Sequence, residues 1–174
     1  MTSSGKTQFK VGFIGLGIMG RHMAGHILGA GYELHINSRT RSKALPLIEA
    51  GAIWHDRPGM VATACDVLIT IVGYPADVEA IYLGTDGILD RARPGTVLID
   101  MTTSSPALGE RIADTASQRG VAALDAPVSG GDVGARDAKL AIMVGGDETA
   151  FNQVLPLLRI IGSNVVRMGG AGSG

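Results

Sequence analysis

Short apolar runs alternate with segments of helical periodicity along the chain, and this alternation constrains the fold more than any other feature. Phe9–Ile14 reads as a buried strand, followed by a helix over Ile18–Leu28 that Gly29 and Gly31 close. Glu33–Ile36 is a second strand, and Arg41–Ala50 a helix ended by Gly51. Val67–Val72 is apolar but for Thr70, as expected of a parallel strand covered on both faces. A short helix over Ala76–Tyr82 follows, then a strand over Thr96–Asp100. The next helix is Pro106–Gln118, with Ser104 or Ser105 as its cap. Strands over Val121–Asp125 and Leu140–Val144, a helix over Ala150–Ile161 and a strand over Asn164–Val166 complete the series. Such alternation predicts an α/β fold with a doubly wound, mainly parallel sheet. Ligands of such sheets sit beyond the carboxyl ends of the strands, so function is sought in the residues that follow each strand.

Composition narrows the class further. Hydrophobic residues make up 45% of the 174 residues and charged residues 18%, which excludes a disordered chain. Lys plus Arg number 15 against 16 Asp plus Glu, so no bulk field draws the chain to nucleic acid or to a membrane surface. The lone Cys65 excludes an internal disulfide framework and a cysteine metal cluster. Charge, Gly or Pro interrupts every apolar run before spanning length, and Met1–Lys10 has no apolar core for export, so a cytoplasmic protein is expected. Residues 1–8 read as a disordered or tag-like leader, 9–168 as one domain and 169–174 as a glycine-rich turn.

Gly15-Leu16-Gly17-Ile18-Met19-Gly20 fits G-x-G-x-x-G and stands where a strand passes into a helix, the context that motif requires. Gly15 suits the tight turn, Gly17 the approach of a pyrophosphate, and Gly20 the helix–strand contact, with free amides at the helix start to hold the anion. A plain sharp turn is the simpler alternative, and the position in the first βα unit disfavours it. The motif makes the expected sheet one of Rossmann type. About 20 residues on, NAD-binding chains place an acid against the ribose. Here Asn37 occupies that slot, followed by Ser38, Arg39, Thr40 and Arg41, with Lys43 close by. A guanidinium flanked by hydroxyls suits a 2′-phosphate that a carboxylate would repel, so NADP(H) is expected ahead of NAD(H). The alternative, a solvated basic helix start, would oppose the helix dipole.

The run Gly12–Gly20, the run Ile99–Pro106 (Ile-Asp-Met-Thr-Thr-Ser-Ser-Pro), Asp125-Ala126-Pro127-Val128-Ser129-Gly130-Gly131, and the stretch from Ala135 to Gly146 together resemble the β-hydroxyacid dehydrogenase family. This family includes 3-hydroxyisobutyrate dehydrogenase and tartronate, glyoxylate and succinic semialdehyde reductases. The resemblance implies that Ser129, Gly130 and Gly131 bind a small carboxylate-bearing substrate, and that Thr103 contacts the cofactor on its nicotinamide side. It places Val72 and Gly73 against the adenosine half, although Gly73 replaces the family's usual Pro. Asp77 stands where some members carry an Asn that touches the ribose. The four histidines (His22, His26, His35 and His55) have no metal-ligand spacing, and His22 and His26 read as a polar helix face. Lys139 reads as a solvated lysine, and Met19, Met23 and Met143 as core fillers.

In the family the glycine-rich turn leads into a helix bearing the catalytic lysine, and Gly169, Gly172 and Gly174 fit that turn. No catalytic residue is therefore expected within these 174 residues: the lysine and a helical second domain belong after Gly174. The resemblance implies an NADP(H)-dependent oxidoreductase of homo-oligomeric habit that moves hydride to or from a small semialdehyde or 2-oxoacid. The chain by itself is expected to be inert. The alternative is a non-catalytic dinucleotide-binding module or sensor.

Overall fold

A computed structural model describes residues 8–174, so the leader expected over 1–8 lies almost wholly outside the described residues. Three strands, β1 (Val11–Ile14), β4 (Val67–Thr70) and β5 (Val97–Asp100), are buried along their whole length and form the centre of one sheet. They are flanked by β2 (Leu34–Asn37) and β3 (Ile53–Trp54) on one side and β6 (Ala122–Asp125) on the other. From edge to edge the order is β3-β2-β1-β4-β5-β6, all parallel. The sheet continues through β8 (Leu140–Gly145), antiparallel to β6 and to β7 (Val128–Ser129), with β9 (Gly162–Gly169) parallel to β8.

The period of two along the central strands sends alternate side chains to two separate cores. Val11, Phe13, Val67, Ile69, Val97 and Ile99 pack beneath α1 (Gly20–Gly29) and α8 (Glu148–Ile161). Ile14, Leu68 and Leu98 pack on the opposite face, where α3 (Pro58–Ala64), α4 (Pro75–Leu83) and α6 (Pro106–Ser117) contribute Val61, Val78 and Ile112. Gly12 permits this second layer, because a Cβ there would lie 2.7 Å from Leu68 and Val61. No helix among the described residues is long and apolar enough to cross a membrane.

The structure departs from sequence expectation mainly in short elements. The helix expected over 41–50 divides into a 3-10 turn, Arg41–Ala44, and α2, Leu45–Glu49. Pro46 has no N–H and belongs in a first helical turn, so it marks a new start there. The first helix begins at Gly20 instead of Ile18, and the last strand runs over 162–169 because it pairs along nearly all of β8. The elements β3, α3, α5 (Ile88–Arg91), β7 and α7 (Gly131–Arg136) carry too few residues to display a period. Ser105 is the cap of α6, its side chain accepting from the Leu108 amide at 3.2 Å.

Candidate dinucleotide site

The strand order reverses between β1 and β4, and a crevice at such a switch point is where open α/β sheets bind ligands. The turn after β1 is shaped by glycines at two places. Gly15 has φ +100°, and a Cβ on it would stand 1.9 Å from the Ile71 carbonyl oxygen. A Cβ on Gly20 would stand 1.9 Å from the Gly15 carbonyl oxygen, so α1 folds back directly onto the turn. Gly17 differs: a Cβ there meets nothing within 4 Å, which leaves an open approach to the backbone. The amides of Gly15 and Leu16 are used, donating to the Asn37 carbonyl at 3.0 Å and to Ser38 Oγ at 3.3 Å. Among the described residues the amides of Gly17, Ile18 and Met19 donate to no protein group. Open space, unpaired amides and a helix start fit a dinucleotide pyrophosphate. A cleft of about 520 Å³ opens beside Gly17 and Ile18, and Arg21, His22, Ser42 and Lys43 give it a basic wall.

The end of β2 divides its residues between two jobs. Asn37 is buried, its amide donating to the His55 carbonyl at 2.8 Å, so its side chain ties β2 to the edge of the sheet. Ser38 holds the glycine turn, while Arg39 and Thr40 are exposed on the rim. Arg39 reaches across the crevice to the start of α4, where its Nη2 donates to Asp77 Oδ1 at 2.5 Å. The other oxygen of Asp77 accepts from the Tyr74 amide at 3.0 Å. Val72 is half-buried and Gly73 exposed on the same wall. Arg41 lies on the Trp54 ring, 5.9 Å from its centroid.

Beyond β4 and β5 lies a buried polar network that the sequence reading did not single out. Asp100 Oδ1 accepts from Thr70 Oγ1 at 2.9 Å and from the Thr102 amide at 3.1 Å. Tyr82 joins through its hydroxyl, 2.8 Å from Thr70 Oγ1, and Thr102 Oγ1 accepts from the Val72 amide at 3.0 Å. Burial pushes the Asp100 carboxyl above the usual carboxylate range, as does the negative charge of Asp125, and it lifts Tyr82 well above the ordinary phenol. The available signal was a polar residue closing each of two adjacent apolar strands, Thr70 and Asp100, which the parallel register pairs. The network fixes the loop from which exposed Thr103 projects. A cavity of about 40 Å³, room for one or two waters, lies between this network, Asp125 and α6, and beside it Ser104 Oγ is buried with no hydrogen-bond partner among the described residues.

Ser129, Gly130 and Gly131 form an exposed corner between β7 and α7. Gly130 and Gly131 take φ of +132° and +62°, conformations that side chains disfavour, which explains two consecutive glycines. His26, expected on a polar helix face, lies within hydrogen-bond reach of the Ala135 and Arg136 carbonyls at 3.0 and 2.9 Å, joining α1 to the end of α7. Of the methionines, Met23 is fully buried while Met19 packs partly buried against the core. Lys139 is exposed. Among the described residues no three His, Cys, Asp or Glu side chains assemble as a metal-ligand group.

Comparison with known proteins agrees with this geometry. The model of the NAD binding domain of 6-phosphogluconate dehydrogenase matches residues 10–170. The chain is 49% identical over 164 residues to the uncharacterized oxidoreductase YkwC of Bacillus subtilis, covering 94% of this chain and 57% of that protein. It is 39% identical over 165 residues to 2-hydroxy-3-oxopropionate reductase of Escherichia coli, covering 95% and 56% respectively. Among solved structures, 3-hydroxyisobutyrate dehydrogenase of Mycobacterium tuberculosis with L-serine superposes with a TM-score of 0.90 at 32% identity, over 96% of this chain and 56% of that one. The chain thus spans somewhat more than half the length of these relatives. It is a Rossmann-type dinucleotide-binding domain, and it belongs to the family of the NAD-binding domain of 6-phosphogluconate dehydrogenase, alongside the β-hydroxyacid dehydrogenases.

Proposed function

We propose that this chain is the cofactor domain of an NADP(H)-dependent oxidoreductase acting on a small semialdehyde or 2-oxoacid that bears a carboxylate. The observation that carries the reading is the pairing of an open glycine turn at Gly17 with a rim that bears the Arg39 guanidinium and the Thr40 hydroxyl, and no acid at the end of β2. The amides of Gly17, Ile18 and Met19 hold the pyrophosphate, and Arg39 with the hydroxyls of Ser38 and Thr40 holds the 2′-phosphate. Val72 and Gly73 border the adenosine half, and Thr103 borders the nicotinamide half. The Ser129 hydroxyl and the amides of Gly130 and Gly131 hold the substrate carboxylate. Bound dihydronicotinamide supplies the hydride. The family resemblance assigns the proton for the developing alkoxide to a lysine on the element that follows the glycine-rich turn.

The test is NADPH consumption by the 174-residue chain and by a chain extended through the next helix, with glyoxylate, succinic semialdehyde and tartronate semialdehyde as substrates. The extended chain should turn over these acids and the shorter one should be nearly inert, since a general acid contributes about 10²–10⁴-fold. Activity confined to uncharged aldehydes would contradict the role given to Ser129–Gly131. Equal rates in the two chains would contradict the assignment of the proton.

A further inference from the structure

The ion pair between Arg39 and Asp77 joins two residues 38 positions apart on opposite walls of the crevice, one after β2 and one in the first turn of α4. Arg39 is the guanidinium on which the proposed 2′-phosphate contact rests, and in the structure it is bound to a carboxylate. The two ends of the pair are unequally held. The Asp77 side chain is 25% exposed and has a second anchor in the Tyr74 amide, whereas that of Arg39 is 79% exposed. Asp77 is therefore the doubly anchored member and Arg39 the more exposed one.

We infer that Asp77 sets the cofactor ratio of this site, acting as a counter-charge that opposes the 2′-phosphate. Two physical effects run in the same direction. A phosphate that recruits Arg39 must first separate it from Asp77. The carboxylate then stands beside an anion of nearly two negative charges. A 2′-hydroxyl meets neither obstacle, and can itself donate to a carboxylate, as it does to the acid of NAD-binding sites. Thus Arg39 favours NADP(H), and Asp77 moderates that preference from the other wall. This inference rests on the dinucleotide reading above and deepens it by naming the residue that limits discrimination.

An exposed pair contributes little, so the effect is moderate in size. Asp77→Asn keeps an oxygen for the Tyr74 amide but removes the charge. Calorimetric titration of the purified chain with NADP+ and NAD+, and with the fragments 2′,5′-ADP and 5′-AMP, should show the affinity ratio for the phosphorylated member rising roughly three- to tenfold in this variant. Asp77→Ser carries the same expectation should the first variant fold poorly. In an Arg39→Ala background the gain should shrink, because separation of the pair no longer contributes. An unchanged ratio, or equal changes for both members of each pair, would overturn the inference while leaving the dinucleotide reading intact. Failure of the unaltered chain to bind any of the four probes would overturn both.

Discussion

Asp100 and Asp125 stand at partner positions on adjacent parallel strands, β5 and β6, at the carboxyl edge of the sheet. Their environments separate their behaviour. Asp100 is buried within the Thr70–Tyr82–Thr102 network, and burial together with its neighbour's charge raises its affinity for a proton. Asp125 accepts from the Gly172 amide on one oxygen and the Gly174 amide on the other, both at 2.8 Å.

The raised Asp100 pKa has a defined consequence for stability. The protonated form is favoured in the folded chain, so its contribution is complete below the unfolded value of about 3.9 and is lost as pH rises through the higher folded value. Asp100→Asn keeps an acceptor for Thr70 and Thr102 without the charge. Urea unfolding at pH 4 and pH 8 should show the variant gaining on the unaltered chain as pH rises. A difference independent of pH would contradict this account.

Asp125→Ala should release the glycine-rich turn. Two amides lose a charged acceptor, and because both are partly solvated the loss is about 1–2 kcal/mol in all. Hydrogen exchange should accelerate about tenfold or more at Gly172 and Gly174, and Asp125→Asn should fall between the two. Unaltered exchange would show that the turn holds itself.

The turn glycines allow stability to be separated from binding. Gly20→Ala drives a methyl into the Gly15 carbonyl and should destabilise by about 1–3 kcal/mol. Gly17→Ala meets only open space, so stability should move by less than about 1 kcal/mol, while dinucleotide affinity falls at least tenfold. Thermal unfolding and titration of the two variants distinguish these outcomes.

His26 should matter through its bonds to α7. His26→Leu removes the donor to the Ala135 and Arg136 carbonyls and should reduce stability by about 0.5–1.5 kcal/mol. His26→Gln should recover part of this. Urea unfolding of the two variants beside the unaltered chain measures both the loss and its recovery, and equal stability of all three would contradict the role given to His26.

What the sequence displayed was what lies close along the chain. The β1–turn–α1 unit, the buried strands β4 and β5, and the Ser105 cap each depend on residues within a turn or two of one another. The separate cores follow from the alternation in those same strands. Hidden from sequence were contacts made only by the closed sheet: Arg39 with Asp77, His26 with Ala135, and Asp125 with Gly172, separated by 38, 109 and 47 positions. The helix α7 was hidden for another reason, since it opens on two glycines that read as loop until their positive φ values are seen to shape a corner. Asn37 was expected just after the second strand and is instead its last residue, and its burial toward His55 depends on β3, a two-residue strand.

The central claim, that Arg39 reads a 2′-phosphate at the end of β2, is tested most directly by titrating the unaltered chain and Arg39→Ala with NADPH and NADH. A charge-assisted contact contributes about 1.5–3 kcal/mol, or roughly ten- to a hundredfold in affinity. The account predicts a loss of about that size for NADPH and little change for NADH. Equal losses for the two cofactors would contradict it.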